Sequence, residues 1–170
     1  MKRFVAALSL AGLFSVSLLT PATQAVGDEQ PLMVNIKRMS METALEVAHA
    51  AVEACRAEGV QVAVTVLDRS GDVQAQLRDV LAPRLTLSVS RNKAYSAVAF
   101  NTATSALADR AQGPLGWRDD MGMHAGGLPI QAGGELVGAV GVSGAPSGET
   151  DERCAAAGVE AVADDLDMAE

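Results

Sequence analysis

Between Val60 and Arg78 the sequence alternates, turns, and alternates again. Val60, Val62, Val64 and Val66 are separated by Gln61, Ala63 and Thr65, a period of two that belongs to a strand. Asp68-Arg69-Ser70-Gly71-Asp72 follows as a turn, and Val73 to Arg78 reads as the return strand. A second unit of the same kind pairs Leu128 to Ile130 with Glu135 to Ser143 across Gly133-Gly134. A tight turn reverses the chain, so both units demand antiparallel pairing; parallel partners need a crossover of about a dozen residues or more. A doubly wound α/β fold is thereby excluded and an α+β domain is expected.

Helical patterns fill the spaces around the hairpins. Ser40 is a good N-cap with Glu42 in the first turn. Ala44, Leu45, Val47, Ala48, Ala51, Val52 and Cys55 then recur at helical spacing until Gly59 closes the helix. Residues 85–99 form a second helix. Asn101 to Arg110 reads as a short third one, started by Asn101 or Thr102. Ser147 or Thr150 caps a final helix that runs to about Leu166, with Glu149, Asp151 and Glu152 favouring its N-terminal end. The predicted order is helix, hairpin, two helices, hairpin, helix.

The first 25 residues do not belong to this domain. Lys2 and Arg3 precede an apolar run from Phe4 to Leu19, and Pro21 and Ala22-Thr23-Gln24-Ala25 follow it. Small residues at Thr23 and Ala25 fit a signal-peptidase site. The run is short of the roughly 20 apolar residues that a membrane anchor needs. A cleavable leader ending near Ala25 is therefore expected, followed by an irregular lead-in over 26–39 and a domain over 40–170. The mature chain is expected to be periplasmic or secreted, with no membrane span.

Loss of the leader removes two cations and no acid, moving the net charge from −8 to −10. Nucleic acid is excluded as the main partner, because phosphate binding needs a basic face. Export also changes the meaning of Cys55 and Cys154: in an oxidising compartment an even pair forms a disulfide, or remains as two buried thiols that pack as small hydrophobes.

Eleven of the 16 glycines fall between Gly113 and Gly148. Their spacing matches neither a dinucleotide fingerprint nor a P-loop, and no Gly-Lys-Ser/Thr occurs. On the last strand Val137, Ala139, Gly141 and Ser143 make one face of small side chains, which lets a helix or a flat ligand approach the backbone. Gly141-Val142-Ser143-Gly144-Ala145 resembles a nucleophile elbow but ends in Ala instead of Gly, and that elbow belongs to a mostly parallel sheet. Asp68 and Asp72 flank a turn, where an Asp usually bonds its own backbone.

Residues 112–127 form the least regular stretch and carry Trp117, Asp119, Asp120, Met121, Met123 and His124. Imidazole and thioether together suit haem iron or another soft metal, and an ordinary loop histidine is the alternative. His49, the only other histidine, lies about 110° from the centre of its helix's apolar stripe at about 100° per residue. It belongs at the helix boundary, either as a surface group or as a ligand at a rim or interface. No second and third ligand have the recognisable spacing of a catalytic zinc site.

Val64-Thr65-Val66-Leu67-Asp68-Arg69-Ser70-Gly71 resembles the first hairpin of the GlcG-like haem-binding family. Lys93-Ala94-Tyr95-Ser96-Ala97 is similar to that family's KAxTA helix, with Ser in place of Thr. Gly126-Gly127-Leu128-Pro129-Ile130 is similar to its GGxPI motif. Gly138 to Gly144, followed by Asp151, Cys154, Ala155 and Gly158, matches its GAxGVSG segment and last helix. The matches stand in order and span nearly all of 40–165. The resemblance implies a profilin-like fold with a five-stranded antiparallel sheet and helices on both faces, and a homo-oligomer. It also implies a tetrapyrrole ligand: haem, or cobalamin as in the domain of PduO-type corrinoid adenosyltransferases. It points to Lys93, Ser96, Gly126 and Gly127 as site positions and to His49 as the iron ligand of the first helix. Met123 and His124 enter from chemistry alone.

An exported protein that sequesters, senses or transfers haem is the expected function. Two others compete: a haem-degrading or small-metabolite enzyme drawing on Asp68, Asp119, Asp120 and His124, and a ligand-free accessory oligomer. Aromatics make up only 3% of the chain, so few rings are available to enclose a macrocycle. An open site, or one completed by a neighbouring subunit, is expected.

Overall fold

The computed structural model describes residues 31–169. The expected leader lies outside them, as does the start of the lead-in. Residues 36–170 form one compact unit that holds every helix and strand of the described residues. The other unit comprises residues 1–35, of which the described part, 31–35, carries no helix or strand.

Helix α1 (Met41–Ala57) starts where Ser40 Oγ accepts from Thr43 N at 3.1 Å, which satisfies an otherwise orphaned donor. It ends where Gly59 takes φ 76° and Val60 N donates back to Cys55 O at 2.9 Å. Strands β1 (Ala63–Asp68) and β2 (Val73–Arg78) form the first hairpin, and β3 (Gly127–Ala132) and β4 (Glu135–Ser143) the second. The first strand begins three residues later than the valine alternation predicts. Helix α2 (Leu85–Phe100) lies between the hairpins, and α3 (Gly148–Met168), capped by Ser147, ends the chain.

The sheet order is β2-β1-β4-β3 and every pairing is antiparallel. This is the expected α+β class with four strands, not five. The residue pattern itself carries only two hairpins; the fifth strand came from the resemblance. Among the described residues the long connection from α2 to β3 holds three short 3-10 turns, Thr104–Leu107, Arg110–Gln112 and Pro114–Trp117.

Those turns also replace the expected helix over 101–110. Asn101 closes α2 in the left-handed region, φ 46°, a conformation Asn tolerates. Ala103 is then extended. The hydroxyl of Thr104, which opens the first of these turns, reaches out of the segment to Gly127 N at the entrance of β3.

Helices cover both faces. On one, Val64, Val66, Val140 and Val142 pack with α1 and α3 residues such as Val47, Ala51, Ala155 and Val162. On the other, Leu67 and Ala139 pack with Ala94, Ala97 and Val98 of α2. Burial on both faces makes all six residues of β1 buried. Thr65 survives there because its hydroxyl meets Ser90 Oγ at 2.8 Å and Gln76 Nε2 at 2.8 Å.

The small-residue face of β4 receives a helix. A Cβ on Gly141 would lie 2.1 Å from Ser90 O of α2. Val137 does not share that face: it packs with the α1/α3 core. The register skips it, Ile130 pairing with Gly138 and Gln131 with Leu136, so Val137 is the extra residue of a β-bulge.

On the opposite side α1 and α3 meet closely enough that a Cβ on Gly158 would be 2.6 Å from Val47 O. Cys55 and Cys154 face each other here with Cα atoms 5.4 Å apart and are disulfide-bonded. Of the two states open to the pair, the structure takes the bridge, and it ties the first helix to the last.

Candidate functional site

The residues singled out from the sequence fall into three places. Lys93, Ser96, Gly126 and Gly127 come together beneath the loop that leads into β3. Lys93 is buried, and its Nζ donates to Asp151 Oδ2 at 2.7 Å and to Val142 O at 2.9 Å. Asp151 Oδ1 also accepts from Ala145 N at 3.0 Å. Burial pushes the Asp151 carboxyl above the usual carboxylate range, against the opposing pull of Lys93.

Gly126 and Gly127 lie directly over this pair. Gly126 has φ 123°, and a Cβ there would sit 2.7 Å from Lys93 Nζ; one on Gly127 would sit 2.5 Å from Lys93 O. Ser96 Oγ accepts from Gly122 N at 2.8 Å and donates to Met121 Sδ at 3.5 Å. These four residues thus hold the 121–127 loop against α2 and α3, and none of the four lines a cleft described below.

Met123 and His124 border a cleft of about 760 Å³ between the 104–107 turn, this loop and the start of α3. Met123 is buried and His124 exposed. Ala108, Ala125, Leu128 and Ala156 give the cleft an apolar floor. Two residues that the sequence did not bring forward build it. Thr104 Oγ1 accepts from Gly127 N at 2.8 Å and donates to His124 O at 2.6 Å. Glu152 accepts from Ser105 Oγ at 2.7 Å and from Gly126 N at 3.1 Å. Arg153 at the rim is engaged by Glu58 at 2.8 Å.

His49 lines a different cleft, so the two histidines are not brought together. It stands on the open side of α1 with its side chain 68% exposed. Beside it is a cleft of about 560 Å³ lined by Glu42, Leu45, Glu46, Ala50, Leu77 and Ala161. On its other side is a smaller cleft of about 160 Å³ lined by Val52, Arg56, Leu77, Arg78 and Asp79.

The charges around His49 are ordered. Glu53 Oε1 lies 3.8 Å from His49 Nε2 and 2.6 Å from Arg56 Nη1. Arg56 then forks onto buried Asp79, Nε to Oδ2 at 2.7 Å and Nη2 to Oδ1 at 2.9 Å. That guanidinium, with the Val80 N–H, lowers the Asp79 carboxyl to about 2. Arg78 Nη1 donates to the carbonyls of Asp79, Val80 and Ala82.

The remaining acids are elsewhere. Asp68 Oδ1 accepts from Ser70 N at 2.8 Å and Asp72 N at 3.1 Å, and its other oxygen pairs with Arg38, so it serves the turn as expected. Asp120 pairs with Arg118 at 2.6 Å. No cluster of three or more His, Cys, Asp or Glu side chains suited to a metal ion occurs among the described residues, and no described helix is long and apolar enough to cross a membrane.

The fold and these clefts define a small α+β domain with open, mostly apolar surface sites, each bordered by one histidine. The family described as haem-degrading protein HbpS-like matches residues 39–160, and the chain belongs to that family. The crystal structure of HbpS is 37% identical, covers 76% of this chain and 93% of its own, and superposes with a TM-score of 0.71. Klebsiella pneumoniae protein ORFY is 25% identical with a TM-score of 0.72, covering 77% of this chain and 94% of its own. A PduOC:haem complex is 28% identical with a TM-score of 0.69, covering 74% and 95%. No curated protein sequence matches significantly.

Proposed function

We propose that this protein binds haem on the α1/β2 face, where His49 would supply the nitrogen ligand for the iron. The observation that carries the reading is the placement of His49. An exposed imidazole stands on a rigid helix beside an apolar cleft of about 560 Å³ walled by Leu45, Ala50, Leu77 and Ala161. The residues fit the group: haem needs a neutral nitrogen donor for its metal and apolar surface for its ring. The family's haem association and the haem-bound neighbour support the same ligand.

Bound haem supplies the redox and ligand-binding chemistry of its iron. The residues that would hold it are His49, as nitrogen donor, and Leu45, Ala50, Leu77 and Ala161, as apolar surface for the ring. The cleft is open, which agrees with a scarcity of aromatic side chains and leaves room for a neighbouring copy to cover the other face. The leader-like pattern of residues 1–25, a basic start, an apolar run and small residues at Thr23 and Ala25, favours a periplasmic or secreted protein that sequesters or passes on haem. Turnover is a second reading, supported by the family's description as haem-degrading.

Hemin titration followed at the Soret band tests the assignment. The parent is expected to saturate at micromolar hemin, His49→Ala to lose the shift and His124→Ala to keep it. A His124→Ala variant that loses the shift while His49→Ala keeps it would move the site to the 760 Å³ cleft. Loss of Soret absorbance with a reductant and oxygen present would establish turnover.

A further inference from the structure

We propose that the loop between β2 and α2 docks this protein on an anionic lipid surface. Neither haem nor His49 takes part. Val80 and Leu81 in that loop are each 78% exposed, and Leu85 in the first turn of α2 is 64% exposed. Three aliphatic side chains close together in the chain thus stand free in water. Single exposed apolar residues are ordinary, but a group of them marks a contact.

The backbone of this loop is firmly held. Val80 N donates to Asp79 Oδ1 at 2.9 Å and Leu81 N to Gln61 Oε1 at 2.7 Å. Ala82 N donates to Asp79 O at 3.1 Å and Thr86 N to Pro83 O at 3.0 Å. From the end of β2, Arg78 Nη1 donates to the carbonyls of Asp79, Val80 and Ala82. Asp79 and Ala82 are buried, and Arg56 forks onto the Asp79 carboxylate. Two anchored residues therefore flank a pair whose side chains face outward. Because the backbone is already ordered, moving Val80 and Leu81 into an apolar phase costs little further freedom.

Charge selects the phase. The chain carries 21 acidic and 13 basic residues, yet between Val73 and Ala108 it has Arg78, Arg84, Arg91 and Lys93 against one acid, Asp79. That acid is bound by Arg56, and Lys93 by Asp151. Arg84, next to Leu85, is exposed, and its side chain makes no hydrogen bond or ion pair among the described residues. Glu53 and Glu58 near the end of α1 are taken by Arg56 and Arg153, and Asp120, whose loop meets α2 at Asn92, by Arg118. A two-fold contact between copies would set this cationic patch against itself. An anionic lipid surface meets both demands: its head groups pair with the guanidinium of Arg84 and its acyl boundary takes up the aliphatic side chains.

Co-sedimentation with vesicles tests this on the chain from Val26 onward, which keeps the whole unit 36–170 and omits the apolar leader. Vesicles of phosphatidylcholine mixed with phosphatidylglycerol are expected to carry the protein down, and vesicles of phosphatidylcholine alone to leave it in solution. Leu81→Asp is expected to lower the partition about tenfold, the low end for withholding one leucine from an apolar phase. Arg84→Gln is expected to lower it about fivefold, the worth of one arginine near an anionic surface. Met168→Asp makes the same charge change as Leu81→Asp at a side chain 76% exposed at the end of α3, and is expected to stay within about twofold of the parent, since salt screens a charge held away from the surface. Circular dichroism checks that the variants fold. A parent that stays in solution with both vesicles, or sediments equally with both, overturns the proposal. So does a Leu81→Asp variant that partitions like the parent or like Met168→Asp. A Leu81→Asp variant that lowers the mass of the protein alone in sedimentation equilibrium, with vesicle binding unchanged, assigns the patch to a second copy and overturns the proposal as well.

Discussion

Replacing Lys93 with Met separates a structural role for this lysine from a ligand-binding one. The Nζ and the Asp151 carboxylate lie 2.7 Å apart with side chains only 5% exposed. Deleting one partner leaves the other charge or polar group stranded away from water, which costs about 3–5 kcal/mol in comparable buried pairs. For a chain of this length each kcal/mol lowers the melting temperature by about 2–4 °C, so a fall of about 6–20 °C is expected. Part of the loss is recovered by adding Asp151→Asn, which removes the stranded charge and keeps an acceptor for Ala145 N. The double-mutant cycle is expected to give a coupling above about 1.5 kcal/mol. Urea unfolding of the four proteins at pH 7 measures all terms. A Lys93→Met variant within about 1 kcal/mol of the parent would refute the argument. So would one that keeps its stability and loses hemin binding, since the lysine would then belong to the ligand.

Two further outcomes follow from the geometry. The Asp79 carboxyl is lowered to about 2 by Arg56, so the folded state releases this proton more readily than the unfolded chain. The resulting stabilisation is complete above the ordinary carboxylate value near 4 and is lost as pH falls from about 4 to about 2; Asp79→Asn is expected to flatten that part of a pH series of urea midpoints. At Gly141, where an added Cβ would lie 2.1 Å from Ser90 O, substitution by Val is expected to destabilise by more than about 2 kcal/mol and to disturb α2 packing, whereas Gly134, with nothing within 4 Å of an added Cβ, is expected to lose about 1 kcal/mol or less on replacement by Asn, which tolerates its φ of 82°. Thermal melts of the two variants make the comparison.

The elements were legible in the sequence because each rests on a local cause. Alternating valines, the Asp68–Asp72 turn and the Gly133-Gly134 turn dictate extended chain and reversal within a few residues. Ser40, Gly59 and Ser147 punctuate helices by satisfying or releasing backbone groups in their own turns. The 101–110 segment was misread as a helix for the converse reason. Its fate depends on Thr104 bonding Gly127 and His124, partners 20 or more residues away that no local pattern announces. The bulge at Val137 was hidden likewise, since an extra residue on one strand shows only against its partner.

The site divides along the same line. Residue chemistry alone singled out both histidines and the Gly-rich loop, and the order of short motifs pointed to a haem-associated family, now shown by the match over 39–160. Glu53 gave no signal: a carboxylate one turn past His49 is ordinary until its neighbours are known. Only the packed molecule decides that Lys93 is buried against Asp151, that His49 and His124 border separate clefts, and that Cys55 meets Cys154. Backbone preference acts over a few residues and can be read along the chain. Burial, the long-range pairings and the shape of a cleft are set by residues up to about 100 positions apart, and they exist only once the sheet has brought α1, α2 and α3 together.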